Sequence, residues 1–381
     1  MKKSTWILLA CLVIALPVVA QAQTVEAFDV PSGELLELDL ETGGSVEIRG
    51  WDRSEVRVEL EERGRGVKPK VDIRRTDSGV AVKIEENDWH ERGDRGHRDH
   101  KGYRVKVRVP LKFNIQIETM GGGITIADVE GEIEGETMGG QLDLSNLKGE
   151  LDLSTMGGSI RLVDSEVNGE VSTMGGKVLL ENVIGDVDGS SMGGNVVYKN
   201  VQRSDGSTTG KVVHITTMGG EIELAEAPHG AKLHTMGGKI EVQSAAEFVD
   251  AETMGGDVIL HEVDGRVAAT TMGGDVEVRV IGDPQAGDRS IELTSMGGEI
   301  HLTVPHNFSM EVDIELSYTK RRAGRYDIHS DLTLQRSEEP AWNYDHGSAR
   351  KVIKGSGVFA GGKNKVVIRT INGDVHLRQG G

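Results

Sequence analysis

Thr137-Met138-Gly139-Gly140-Gln141-Leu142-Asp143-Leu144-Ser145-Asn146-Leu147-Lys148-Gly149-Glu150-Leu151-Asp152-Leu153-Ser154-Thr155-Met156-Gly157-Gly158 carries the pattern that decides the fold. After Gly139-Gly140, apolar and polar residues alternate through Leu142 and Leu144, as in a strand with one buried face. A turn follows through Lys148-Gly149. Leu151, Leu153 and Thr155 then share a second inward face. From Thr155 to Ile160 the inward register shifts by an odd step. A continuous strand cannot do that, so Met-Gly-Gly reads as a corner. Glycine is expected there for its freedom to take φ > 0. The threonine hydroxyls are expected to stack, bonding one another and the corner backbone.

The corner recurs ten times, as Thr-Met-Gly-Gly or Ser-Met-Gly-Gly, at Met120, Met138, Met156, Met174, Met192, Met218, Met236, Met254, Met272 and Met296. The successive spacings are 18, 18, 18, 18, 26, 18, 18, 18 and 24. A fixed period of this kind marks a repeat architecture. The long intervals add eight and six residues. They fall near Gln202–Gly210 and Gly282–Asp288, in sequence rich in Gly, Ser, Asp and Pro, and read as loops protruding from single coils.

Eighteen extended residues have a contour of roughly 59 Å, enough for a flattened coil of two strands and tight corners. Coils stacked at ~4.8 Å can pair every strand in parallel with its equivalents above and below. A single coil cannot bury its apolar face, whereas an array can. Parallel crossovers favour a right-handed coil. A left-handed hexapeptide helix would show a clean period of six, which is absent. The expected fold is all-β: a right-handed parallel β-helix, or β-solenoid, of about 18 residues per coil, with less regular N- and C-terminal capping regions. Residues 109–303 form the regular solenoid of this reading. Residues 23–108 form an N-terminal β region with a charged hairpin loop, and 304–381 a C-terminal solenoid and cap region. Val30-Pro31, Val109-Pro110 and Val304-Pro305 are expected to open strands, since proline fits a strand start or edge. The last two share Val-Pro-x-x-Phe, with Phe113 and Phe308.

Composition agrees with stacked thin layers. Glycine supplies 52 of 381 residues and aromatics only 4%, the glycine share being about double the usual. Residues 1–22 read as a signal peptide. Lys2 and Lys3 precede the apolar run Trp6–Val19, and Ala20-Gln21-Ala22 offers a small-x-small cleavage site. Leu8-Leu9-Ala10-Cys11 looks like a lipobox, but Cys11 lies too early and apolar residues follow it. Cys11 is the sole cysteine, so a chain cleaved after Ala22 has no disulfide, thiolate zinc site or thiol nucleophile. The formal net charge of −18 disfavours nucleic acid or anionic membrane as a partner. No later segment is apolar enough to span a bilayer.

The Thr-x-[Asn/Gly/Ser]-Gly-x-Φ-x-Φ coils, Gly50-Trp51-Asp52 after an early alternating strand, and the closing Thr370-Ile371-Asn372-Gly373-Asp374-Val375 together resemble the bacterial putative-adhesin family of unknown function, DUF4097. The resemblance covers nearly the whole chain after residue 22. It implies a β-solenoid at the bacterial envelope, with adhesion or envelope-stress roles and no catalytic residues to carry over. The uniform Met before Gly-Gly departs from the family pattern.

Candidate chemistry is sparse. The methionines are expected mainly to fill corner space, because the side chain is flexible and polarizable. The sharper alternative is an exposed stripe that binds apolar partners or soft metal such as Cu(I). The residues after Gly-Gly, from Gln141 to Glu299, mix charges and read as a solvated face. His90, His97 and His100 with Asp94 and Asp99 could bind a divalent metal, although Asp88–Lys101 reads more simply as a solvated hairpin tip. No Ser-His-Asp spacing, HExxH motif or phosphate-cradling loop is present, and the calcium nonapeptide pattern is absent. No catalytic, cofactor-binding or metal-ligating residue is therefore assigned, and no cofactor is expected. The expectation is a non-catalytic, exported envelope protein, periplasmic or at the cell surface. It would be a monomer or weakly self-associating, and bind an envelope protein or polysaccharide. The alternatives are a polysaccharide-active β-helix enzyme built under the two insertions, and a metal-binding or sensor protein using the methionines or the His-rich loop.

Overall fold

The computed structural model describes residues 23–63, 69–85, 102–202, 211–344 and 349–380. The expected signal peptide, the His-rich segment and most of the first insertion lie outside the described residues. Among the described residues the chain is all-β, with thirty strands joined in one mixed sheet and a single short 3-10 turn at Lys320–Arg322.

Through the middle of the chain, strands pair in parallel with residues eighteen positions on. Leu142 faces Ile160, Leu151 faces Gly169, and Thr155 faces Thr173. Each repeat contributes two strands. One follows Gly-Gly, as in Leu142–Ser145, and these build a leading face. The other ends on Thr, as in Lys148–Thr155, and these build a trailing face. The alternation of the sequence places Leu142, Leu144, Leu151 and Leu153 between the two faces, each essentially inaccessible to water. The interior is built almost entirely of Leu, Ile, Val and Ala, and size compensates across it. Tyr198, the largest side chain in the middle coils, lies opposite Gly189, whose N–H donates to the Tyr198 hydroxyl at 2.6 Å.

The extra residues of the long intervals leave the ladder intact. Ser191 pairs with Thr217 across one and Thr271 with Ser295 across the other. Both insertions leave the same edge, between a leading strand and the next trailing strand. The second is exposed over most of its length, as expected for a loop, but it is also tied down. Ser309 donates its N–H to the Pro284 carbonyl, Gln285 donates to the Asn307 carbonyl at 2.8 Å, and the buried Arg289 pairs with Asp264. The first two contacts hold the insertion against the C-terminal region, and the third ties it to the solenoid strand Val258–Thr271.

At both ends the coils are stacked out of chain order. Leu35–Leu40 lies between Gly79–Glu85 and Asn114–Thr119, parallel to both. Asn364–Ile371 is slotted between Ile291–Ser295 and Met310–Thr319. Val375–Gln379 likewise separates Ile300–Val304 from Ile328–Ser330. Among the described residues, antiparallel pairing is confined to these ends. The outermost strands include Lys70–Arg75, Ile328–Ser330 and Gln335–Glu338, which are short and mostly charged or polar. Short charged edges resist pairing with another chain.

The prolines behave differently from expectation. Pro110 closes the strand Gly102–Pro110, and Val304 closes Ile300–Val304. Val30 follows Gln23–Asp29 rather than opening a strand. A residue without an N–H ends the ladder as readily as it begins one. Phe113 and Phe308, three residues after their prolines, are buried in the core.

Candidate functional site: the methionine edge

The Thr-Met-Gly-Gly corner is held by its threonine. Thr155 is buried, and its hydroxyl donates to the Gly140 carbonyl of the preceding coil at 2.8 Å. The same hydroxyl accepts the N–H of Gly158 at 3.2 Å, closing its own corner. Thr173, Thr235, Thr253 and Thr271 repeat both bonds, and Ser191 and Ser295 supply the same hydroxyl. The hydroxyl ladder thus bonds corner backbone, coil to coil, as part of the sequence reading expected. The direct hydroxyl-to-hydroxyl bonding it also expected is replaced by bonds to the Gly carbonyls.

The role of the glycines differs from the one inferred from sequence. In the corners from Gly139-Gly140 to Gly297-Gly298, neither glycine has positive φ. The second is required instead by close approach. A Cβ on Gly158 would lie 1.8 Å from the Gly140 carbonyl oxygen, and one on Gly176 would lie 2.0 Å from that of Gly158. The first glycine of each pair has more room, with nothing within 4 Å of a Cβ on Gly139 and nothing nearer than 3.3 Å in the later corners. Positive φ belongs to Gly122 of the first corner and Gly43 of the preceding Thr-Gly-Gly turn, where the expectation holds, to Asn372 of the closing coil, and to the opposite corner.

With Thr filling the inside of the corner, the methionine that follows must point outward. All ten do so, with exposures from 40% at Met254 to 60% at Met120. The hydroxyl bonds and the closely stacked glycine backbones take up the inside of the corner, so the methionines lie half-exposed along it rather than filling it, as their place after an inward Thr implies. Successive corners sit directly over one another. The Met156 N–H donates to the Thr137 carbonyl at 3.0 Å, and Met174 to Thr155 at 3.1 Å. Ten rungs at ~4.8 Å make a row about 43 Å long. Its exposed apolar area is on the order of 1,000 Å², where a monomer's largest patch is about 300–600 Å². Polar side chains flank the row: Glu118, Glu136 and His234 on one side, Gln141, Lys177 and Glu221 on the other.

The profile of the Toastrack DUF4097 family matches residues 34–378. The chain belongs to this family. Among solved structures it is similar to a putative cell adhesion protein from Clostridium sporogenes, at 11% identity over 94% of this chain and 100% of that one, with a TM-score of 0.21. A putative adhesin from Parabacteroides distasonis is 13% identical over 74% of this chain and 98% of its own, with a TM-score of 0.26. A putative lipid binding protein from the same organism is 11% identical over 74% and 96%, also with a TM-score of 0.26. No curated protein matches the chain significantly.

In this Toastrack chain the opposite corner carries features that the sequence reading passed over. Asp128, Asn146, Asp164, Asn182 and Asn200 all take left-handed backbone geometry, with φ of 62°, 51°, 49°, 54° and 51°. They form a ladder in which Asn146 Nδ2 donates to Asp128 Oδ1 at 2.7 Å and Asn182 Nδ2 to Asp164 Oδ1 at 2.8 Å. The 18-residue spacing of Asx residues was the available signal. The variable residues after Gly-Gly also do more than face solvent. Asp257 Oδ1 accepts the N–H of Asp275 at 2.8 Å, and Asp275 Oδ1 accepts that of Glu299 at 2.7 Å. Toward the C-terminal end of the leading face, His301, His376 and His329 stack on adjacent strands.

Proposed function

We propose that this chain is a non-catalytic, adhesin-like binding protein of the bacterial envelope, and that its methionine edge docks an extended apolar segment of a partner protein. The observation that carries the reading is the row of ten outward methionines on one straight edge. Each of these side chains leaves about half its surface open to solvent. An apolar strip of this size with a polar rim matches the anatomy of one side of a standard interface, about 800 Å² per partner. Methionine is suited to adaptable recognition because its unbranched thioether repacks around different shapes. A right-handed 18-residue coil, export through the leader at residues 1–22, and a periplasmic or surface location belong to the same reading. The net charge of −18 favours a protein partner over an anionic membrane or nucleic acid.

The polysaccharide-enzyme alternative needs loops that wall a cleft. The 281–290 insertion is instead folded against the C-terminal region, which weighs against it. The test replaces methionine metabolically by photo-methionine and irradiates the protein with an envelope fraction. Cross-links from the corner positions to a discrete partner, lost when Met174, Met192, Met218, Met236 and Met254 are changed together to Gln, are expected. Cross-linking that is indifferent to those substitutions overturns the proposal.

A further inference from the structure

Glu299-Ile300-His301, Asp327-Ile328-His329 and Asp374-Val375-His376 share one pattern, an acid and a histidine separated by a β-branched residue. In the chain they lie 28 and 47 positions apart, so no 18-residue period connects them. The insertion of the last coil brings them together. Val375 pairs with both Ile300 and Ile328, and His376 with both His301 and His329. The apolar residue of each triplet is buried. The acid and the histidine, two apart, therefore lie on the same outer face.

We propose that this face binds one divalent transition cation of the zinc class through His301, His376 and Glu299, with His329 and Asp374 offering an alternative set around the same His376. The ligand atoms of each set lie within 4.8 Å of one another. Tetrahedral bonds of ~2.0–2.1 Å bring ligand atoms to about 3.4 Å apart, so closure needs small side-chain rotations. The rings stand 4.4 Å apart at 6° for His301 and His376, and 4.7 Å apart at 20° for His329 and His376. Their tips must tilt toward the ion, because nitrogen lone pairs lie in the ring plane. The side chains face outward and can rotate without disturbing the core.

The carboxylates already sit beside the imidazoles. Glu299 Oε2 lies 3.2 Å from His301 Nε2. Asp374 Oδ1 accepts the backbone N–H of Asp327 at 2.7 Å, which fixes its carboxylate on the same strand as His376. Elsewhere among the described residues, His229, His234 and His261 each meet a single carboxylate.

The site does not involve the methionine edge and stands or falls separately from it. The test titrates Zn(II) by calorimetry and Co(II) by absorbance, with His90, His97 and His100 changed to Gln throughout to remove a competing source of imidazole. The expected result is one ion per chain with tetrahedral Co(II) bands. H376Q should weaken binding by about 100-fold, H301Q and E299Q by about 10-fold, and the control H261Q not at all. Melting curves of each variant check folding. Should H376Q unfold, H301Q and H329Q carry the test together. Binding that H376Q, or H301Q with H329Q, leaves unchanged overturns the proposal, as does affinity for Zn(II) no tighter than about 100 μM.

Discussion

At the Thr-Met-Gly-Gly corner the chain reverses over a residue that can carry no side chain, because the carbonyl of the coil beneath occupies that space. At the opposite corner the coils from Asp128 to Asn200 reverse over Asn or Asp in left-handed geometry, and both insertions leave the chain on that side. The first corner is constrained by contact between coils and the second by a dihedral angle. Contact admits only glycine. A left-handed dihedral admits Asn, Asp or Gly. Methionine at the first corner is bound by neither constraint, which is why its exposure points to surface function.

The largest expected effect breaks the contact constraint. Gly176→Ala puts a Cβ 2.0 Å from the Gly158 carbonyl oxygen, and backbone must move to relieve it. A loss of roughly 3 kcal/mol is expected. Gly175→Ala, whose Cβ meets nothing nearer than 3.7 Å, should stay within about 0.5 kcal/mol of the parent. Chemical denaturation of the two variants decides. Equal losses would show that both glycines serve the same purpose and remove the contact argument.

A smaller effect tests the hydroxyl. Thr173→Val keeps the shape but leaves the Gly158 carbonyl and the Gly176 N–H without their bonds of 2.8 and 3.2 Å. The expected cost is about 2 kcal/mol. Thr173→Ser should recover most of it, since Ser191 makes both bonds in its own coil. A valine variant as stable as the parent would mean that the hydroxyl is dispensable.

The smallest effects sharpen the contrast between corners. Asn182→Ala forces alanine to φ near 54° and should cost about 1 kcal/mol, much of it recovered by Asn182→Gly. Met174→Gln should change the melting midpoint hardly at all, within about 0.5 kcal/mol, because the side chain is 52% exposed. Destabilisation by Met174→Gln larger than that of Asn182→Ala would return methionine to a packing role.

Much of the repeat was legible from residue order. Period, inward parity and the corner at Met-Gly-Gly followed from alternation and its odd step, which are local properties of the backbone. The reason for the glycines was not legible. Positive φ and close approach select the same residue, and only the stacked Gly140 and Gly158 carbonyls distinguish them. The direction of the methionines was half legible, since Thr155 was assigned inward and Met156 follows it. The three acid-x-His triplets were visible as strings, but their meeting was not.

Residue order alone determined that this is an all-β chain of repeated two-strand units, with Leu, Val and Thr directed inward and a methionine at every central corner. That much rests on the two-residue period of a strand, which any short window displays. The stacking of coils decided that the methionines form one exposed edge and that the second glycine of each pair cannot be replaced. It also decided that His301, His329 and His376 meet, because the final strands slot between earlier ones. Such a slot is chosen by pairing between distant segments, and no local periodicity records it.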